Sequence, residues 1–385
     1  MKILHTADWH LGKYLNNQSL LEDQRFILKR FLEAVRKEQP DVVIIAGDIY
    51  DRSVPPSEAV NLFDDTVDKL IREYKTKVIV ISGNHDSSDR INCYSGLLEK
   101  QGFYITGRLH LPIQPVIIED DNGPVYFYPV PYVEPEWVRH KVNEKEIRSH
   151  EDVMKYLVGE IMETHPDQHR SVFVGHAFIS GGKPSDSERV LSVGGAETVS
   201  AEIFDPFSYV ALGHLHRPQS FLNGKVHYSG SPLKYSFSEA DHSKRVSIVH
   251  LDGLGMITVK RIDLKPRRDL LRVKGCIEKG KFELEKTDNT KPSISDFLEV
   301  TLTNKEPVMD AMQIVQKIYP NTLKLQWEHK RDLVSDRNFS GEDIEHKNPV
   351  ELFDMFYEWL EGDPMDEKTR HVIEEATSKA MEDDH

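Results

Sequence analysis

Cysteine is nearly absent: Cys93 and Cys276 are the only two in 385 residues. Two thiols cannot build a disulfide framework, and their scarcity fits a reducing compartment, so a cytoplasmic protein is expected. Long apolar runs are missing too. No stretch approaches the roughly 20 consecutive apolar residues that a membrane-spanning helix requires. Met1-Lys2-Ile3-Leu4-His5 runs directly into a strand pattern without the zones of a secretory leader, so none is expected. Nor is there an excess of positive charge. With 49 Lys+Arg against 64 Asp+Glu the formal charge is -15, which argues against a surface that holds nucleic-acid phosphates unaided. Two features soften that exclusion. Bound divalent ions add positive charge that a residue count omits, and much of the acidity sits in the tail, from Glu358 onward. Internal repeats and low-complexity tracts are absent as well.

What is present is alternation. Ile3-Leu4 and the runs 42–45, 78–81, 171–174 and 209–212 are short and rich in β-branched residues, as in a sheet buried on both faces. Between the early runs, Leu20, Ile27, Phe31 and Val35 form a helical stripe opened by the capping-box pattern Ser19-Leu20-Leu21-Glu22. Val60, Phe63, Val67, Leu70 and Tyr74 form a second stripe, and both are read as core-facing. Runs at 226–228, 245–251 and 257–259, separated by turn signals such as Asp252-Gly253, predict an antiparallel part. The whole predicts an α/β sandwich of mixed sheets. The expected organisation is a catalytic domain over 1–265, a small α+β domain over 266–334, a polar linker over 335–349 and a helical tail over 350–385. In the small domain, strands are expected at 297–302 and 322–327, with a helix at 308–318.

Five short motifs each follow a predicted strand: Asp8-Trp9-His10, Gly47-Asp48-Ile49-Tyr50-Asp51, Gly83-Asn84-His85-Asp86, Gly175-His176 and Gly213-His214-Leu215-His216. Strand ends in a layered α/β fold converge on one edge, where such folds place their sites. A lone buried histidine is most often a hydrogen-bonded core residue. Five motifs in strand-end order are not explained that way. Asp8, His10, Asp48, Asn84, His176, His214 and His216 offer carboxylate, imidazole and amide donors without a thiolate, a mixture suited to a catalytic pair of Mn, Fe or Zn ions. One carboxylate shared between two ions would give each four protein ligands.

Together these motifs resemble the pattern of the calcineurin-like metallophosphoesterases, across residues 1–216. The resemblance implies a four-layer sandwich of two mixed sheets flanked by helices, and a hydrolase acting on phosphoesters through two divalent ions. It implies that Asp8, His10, Asp48 and His216 hold one ion and Asp48, Asn84, His176 and His214 the other. His85 would be the catalytic imidazole beside the reacting phosphate, protonating the leaving oxygen or steadying the transition state. Asp86 would orient His85 or cap the next helix, Asp51 would support the site without ligating, and His5 is read as structure. Arg52 and Arg90 adjoin the metal motifs, where a phosphate contact or a counter-ion would both fit. The hydroxyl-rich loop 181–200 is read as solvated.

Within that family, residues 5–12 (His5-Thr6-Ala7-Asp8-Trp9-His10-Leu11-Gly12), the stretch 228–239 and the domain layout resemble the bacterial double-strand-break repair nucleases. That likeness implies DNA as substrate, with exonuclease action on duplex ends and endonuclease action on single strands and hairpins. It also implies Mn2+, a small domain capping the site, a homodimer paired through early helices, and a coiled-coil ATPase as partner. The tail carries a stripe of Leu352, Phe353, Phe356, Trp359 and Leu360 at helical spacing, beyond a polar stretch. Such a face needs a cover, and the resemblance implies that the ATPase supplies it. The alternative reading is a single-chain phosphatase or nucleotide pyrophosphatase acting on a small ester.

Overall fold

The structure is a computed structural model that describes residues 1–188, 198–285, 291–328, 348–361 and 364–383. The chain divides into two units, Met1–Leu270 and Leu271–His385.

The first unit contains two six-stranded sheets. In one, the order is β12 (Ile257–Asp263), β11 (Arg245–Leu251), β1 (Lys2–Thr6), β2 (Val42–Ala46), β3 (Lys77–Ile81) and β4 (Phe103–Thr106). In the other it is β9 (Gln219–Phe221), β10 (Val226–Tyr228), β8 (Tyr209–Gly213), β7 (Arg170–His176), β6 (Gly123–Pro129) and β5 (Val116–Asp120). The central strands are parallel, β1 to β4 in the first sheet and β6, β7, β8 and β10 in the second, while antiparallel strands close the edges. These are the mixed sheets expected. The inward residues Ile3, Val42, Ile44 and Ile79 meet Phe127, Val172, Val174 and Ala211 in one core. Alternate residues such as Leu4, Val43, Ile45 and Val80 are equally buried, so this sheet is covered on both faces.

Helix α1 (Leu21–Glu38) buries Ile27, Leu28, Phe31 and Val35, and α2 (Ser57–Asp68) buries Ala59, Leu62 and Val67. Behind the second sheet, α3 (Pro135–Val142) contributes Val138, and α4 (His150–Thr164) packs Val153, Met154, Leu157 and Ile161 against Phe173, Val210 and Leu212.

Local expectations differ from the structure of this unit in three places. The Ser19 capping box does not form, because the first helical residue is Leu21, one position later than that box requires. The cap position is Leu20, a buried residue with no capping side chain. A capping box does form at α4, where Ser149 and Asp152 satisfy each other's backbone N–H groups. In α2 the buried face is rotated from the expected stripe: Val60 is exposed and Leu62 and Thr66 are buried. β10 runs parallel to β8, because the Asn223-Gly224 turn makes it the return strand of a hairpin with β9 and it inserts beside β8.

The second unit has a four-stranded sheet, ordered β14 (Lys281–Leu284), β13 (Leu270–Glu278), β15 (Phe297–Leu302) and β16 (Thr322–Trp327). Ile277, Phe282, Leu298, Val300 and Leu302 pack with Ala311 and Val315 of α5 (Ala311–Gln316), which is shorter than the helix expected over 308–318. Helices α6 (Pro349–Glu361) and α7 (Glu367–Asp383) follow, joined by an Arg370–Asp354 ion pair. Phe353 and Phe356 of α6 are exposed and Leu352 is half-buried. The side chains of Trp359 and Leu360, and most of the expected linker 335–349, lie outside the described residues. No described helix is long and apolar enough to cross a membrane.

Phe173, fully buried on the strand that ends at His176, stacks 4.9 Å from the Phe204 ring and 5.2 Å from the Phe207 ring. Phe173→Ala is expected to cost about 3–5 kcal/mol, measured by denaturant unfolding. A cost under about 1 kcal/mol would contradict this packing.

Candidate metal centre

The parallel strands β1, β2 and β3 of one sheet and β7 and β8 of the other end at a common edge. The chain leaves them through all five motifs. Asp8, His10, Asp48 and His214 all have positive φ, at 55°, 43°, 49° and 106°. A non-glycine residue there costs roughly 1–3 kcal/mol and persists only where its surroundings over-determine it. Here the loops after β1 and β2 are laced together: Asp8 N donates to Gly47 O, His10 N to Asp48 O and Leu11 N to Ile49 O, at 2.9–3.1 Å. Two glycines permit the close approach. A Cβ on Gly83 would lie 2.2 Å from Asp48 Oδ1, and one on Gly213 would lie 1.9 Å from Ala46 O.

The seven expected ligands converge. Asp48 Oδ2 stands 3.6 Å from His10 Nε2 and 3.5 Å from His176 Nε2, so one oxygen faces two clusters. On the first side His10 Nε2 and His216 Nε2 face each other at 3.0 Å. On the second, Asn84 Oδ1 lies 3.0 Å from His176 Nε2 and 3.4 Å from His214 Nδ1. Asp8 Oδ1 accepts from His214 N at 2.8 Å, while Asp8 Oδ2 and Asn84 Nδ2 are buried without a hydrogen-bond partner.

These contacts fit cations. His176 Nδ1 lies 3.0 Å from the Ala46 carbonyl, which can only accept, so Nδ1 carries the proton. Its Nε2 lone pair then meets the Asn84 and Asp48 oxygens, which is repulsive unless positive charge lies between. The titration directions express the same demand. Burial lowers His176, but Asp48 outweighs it and raises the imidazole to about 9. Burial would raise Asp48, yet His176 and His10 hold it well below the usual carboxylate range. Burial lifts Asp8 to about 6 and, aided by His176, drives His214 down to about 3. Without an ion, the site draws a proton onto His176 to balance Asp48. A divalent ion meets that need.

Around the ligands, His85 donates from Nδ1 to Asp51 O at 2.9 Å, and its own N–H donates to Asp48 Oδ1 at 2.9 Å. Asp86 does not orient His85. Its carboxylate accepts from Gly83 N, Ile49 N and Tyr50 N, tying the loops after β2 and β3 together. The Asp51 carboxylate approaches His10 Nδ1 at 3.8 Å and is paired with Lys13 Nζ at 2.7 Å, which supplies positive charge at this corner. His5 lies in the core, with Nδ1 2.9 Å from Tyr209 Oη.

Two residues were not tied to the site by the sequence. Gln24 of α1 donates to His10 O at 2.7 Å and accepts from Gly12 N at 2.9 Å. Glu239 stands behind His216. Glu239 lies in the stretch 228–239, but nothing in the spacing links it to a ligand.

A strained sheet edge that gathers carboxylate, imidazole and amide donors around the Asp48 carboxylate fits a dinuclear divalent metal site. Residues 1–218, more than half of the chain, match the family profile described as calcineurin-like phosphoesterase, and the chain belongs to that family. Residues 266–359 match the profile described as type 5 capsule protein repressor C-terminal domain. The SbcD component of the nuclease SbcCD from Staphylococcus saprophyticus is 37% identical over 386 residues, covering 100% of this chain and 99% of that protein. Its namesake in Staphylococcus epidermidis is 36% identical over 359 residues, covering 93% and 92%. Within the phosphoesterases the chain is thus a member of the SbcD group. Among solved structures, a dimetal phosphatase from Danio rerio matches with a TM-score of 0.41 and 12% identity, covering 69% of this chain and 98% of that one.

Gly83→Ala is expected to displace the Asp48 carboxylate, because a methyl cannot sit 2.2 Å from its oxygen. Metal analysis after loading with Mn2+ checks this. Two ions per chain at the parent's affinity would contradict the close approach.

Proposed function

We propose that this protein is a DNA nuclease that hydrolyses phosphodiester bonds with two Mn2+ ions, acting on duplex ends and on single-stranded or hairpin DNA in repair and recombination. The observation that carries the reading is the single Asp48 oxygen set between two ligand clusters. Asp8, His10, Asp48 and His216 hold one ion, and Asp48, Asn84, His176 and His214 the other. When bound, such a pair activates water at neutral pH and neutralises charge developing on the phosphoryl oxygens. His85 is the catalytic imidazole. With its Nδ1–H committed to the Asp51 carbonyl, Nε2 is the atom left to exchange a proton with the leaving oxygen. Asp51 acts at one remove by holding His85 through its carbonyl, and Asp86 by holding the loops together.

The chain works as a homodimer with an SbcC-type coiled-coil ATPase. The name SbcCD carried by the two relatives supports a second component. So does the formal charge of -15, which leaves the hold on DNA to be shared. The docking helix is α6, through Leu352, Phe353, Phe356, Trp359 and Leu360, and Phe353 and Phe356 are 42% and 48% exposed.

The purified chain with Mn2+ should release nucleotides from linear duplex DNA and open hairpins. Hydrolysis of a small phosphomonoester with DNA left intact would contradict the reading. Asp48→Ala should lose both ions by metal analysis, since both clusters share it; two retained ions would exclude the bridge. His85→Gln should keep both ions while turnover falls about 10²–10⁴-fold. Near-parental activity would remove His85 from the chemistry.

Replacing Phe356 and Trp359 with Ser should abolish a pull-down with the ATPase, at about 2 kcal/mol or more per aromatic anchor. Metal-dependent cleavage and melting temperature should stay unchanged. A large loss of melting temperature with normal complex formation would show that the helix packs on its own chain.

A further inference from the structure

Four imidazoles enter the proposed ligand set, and among the described residues His216 is the one with a carboxylate within hydrogen-bond distance of its Nδ1. Glu239 lies at the end of the short turn Phe237–Glu239 and is fully buried. Its Oε1 lies 3.3 Å from His216 Nδ1 and accepts from Tyr235 N at 3.1 Å. Its Oε2 is paired with Lys244, a lysine only 5% exposed. Lys244 spends its other donors on His216 O at 2.9 Å and Ser231 Oγ at 2.8 Å. All three ammonium hydrogens thus have acceptors, and two of those acceptors belong to His216 and its carboxylate.

A buried ion pair is a poor stabilising device. Desolvation of both charges offsets their attraction, and apolar residues of similar volume commonly serve stability as well or better. The position of this pair suggests another use. Ser187 Oγ donates its only proton to Glu239 Oε1, so it can face His216 Nδ1, 2.7 Å away, only as an acceptor. His216 Nδ1 must then be the donor. Its Nε2 is left with a lone pair, and it is Nε2 that faces His10 Nε2 and the first cluster. Ser187 is itself fixed: the next residue, Glu188, accepts from His216 N at 2.7 Å, and the preceding Asp186 N donates to Ser238 Oγ at 2.9 Å. The other imidazoles differ. His176 Nδ1 is set by a main-chain carbonyl, and among the described residues His10 Nδ1 has no hydrogen-bond partner, the Asp51 carboxylate standing 3.8 Å away.

We propose that Glu239, neutralised by Lys244 and linked through Ser187, is a positioning residue that locks His216 in the tautomer and orientation that bind the first metal ion. The proposal rests on the reading of His216 as a ligand. A carboxylate behind a ligating imidazole fixes the ring and raises its basicity, and loss of such a partner typically lowers metal affinity about 10–100-fold. The prediction is asymmetric. The ion held by Asp8, His10, Asp48 and His216 depends on this network, whereas the ion held by Asn84, His176 and His214 does not.

The test uses the metal-free full chain titrated with Mn2+ by calorimetry and by loss of the free-ion electron paramagnetic resonance signal. Glu239→Ala would leave Lys244 buried without a partner and could fail to fold. The informative variants are therefore Glu239→Gln and the charge-neutral double variant Glu239→Gln/Lys244→Met, with melting temperature recorded for each. The parent is expected to bind two ions. In the double variant one affinity should fall about 10–100-fold while the other and the metal-free melting temperature stay at the parent's values, and Ser187→Ala should shift the same affinity less. Two affinities equal to the parent's in a folded double variant overturn the proposal. So does a parallel fall of both, which marks general loosening. His216→Ala is the control: if it binds both ions like the parent, the ligand assignment itself is overturned.

Discussion

The structure depends on one carboxylate placed where two groups of nitrogen and oxygen donors meet. Asp48 follows a strand buried on both faces and sits at positive φ, with its Oδ1 held by His85 N and its Oδ2 aimed at His10 and His176. Buried charge is costly unless matched. Asp48 raises the titration of the His176 imidazole, which expresses the same demand for positive charge. Divalent ions on either side satisfy Asp48, Asp8 and the facing imidazole lone pairs together, which a proton cannot do. The candidate ligands thus already converge in the chain alone, an arrangement that lowers the ordering cost of binding.

The two sheets provide the rigidity for this arrangement. Each ligand loop leaves a strand whose inward and outward residues are both buried, so the loop ends are fixed by apolar packing. Left-handed conformations at Asp8, His10, Asp48 and His214 draw on that packing. The backbone hydrogen bonds between the loops after β1 and β2, and the Asp86 carboxylate across the loops after β2 and β3, convert separate turns into one edge. Around it the supports differ in kind. A main-chain carbonyl sets His176, the Asp51 carbonyl sets His85, and a buried charge pair stands behind His216.

The convergence of the candidate ligands was legible in the sequence because strand-end geometry and donor chemistry are both local. A β-branched run followed by Gly-Asp or Gly-His states where the side chain goes and what it can bind. Mixed sheets were legible for the same reason. Local patterns misled where tertiary packing overrode them. Ser19 lost its cap to a helix that starts one residue later, beside buried Leu20, and Val60 faces solvent although its spacing fits a stripe. Val226–Tyr228 pairs parallel with Tyr209–Gly213 because a hairpin inserts it there, which no turn signal encodes. Glu239 and Gln24 were not linked to any ligand by the sequence, since no spacing rule ties either to His216 or His10 and only the fold brings them there. Asp86 adjoins His85 in sequence, but its carboxylate turns to the backbone instead.

Anomalous diffraction from crystals of the full chain loaded with Mn2+ tests the central claim most directly. The account predicts two manganese peaks roughly 3.5–4 Å apart, both within bonding distance of the Asp48 carboxylate, one beside His10 and His216 and the other beside Asn84 and His176. A single peak, or two peaks that do not share Asp48, would contradict it.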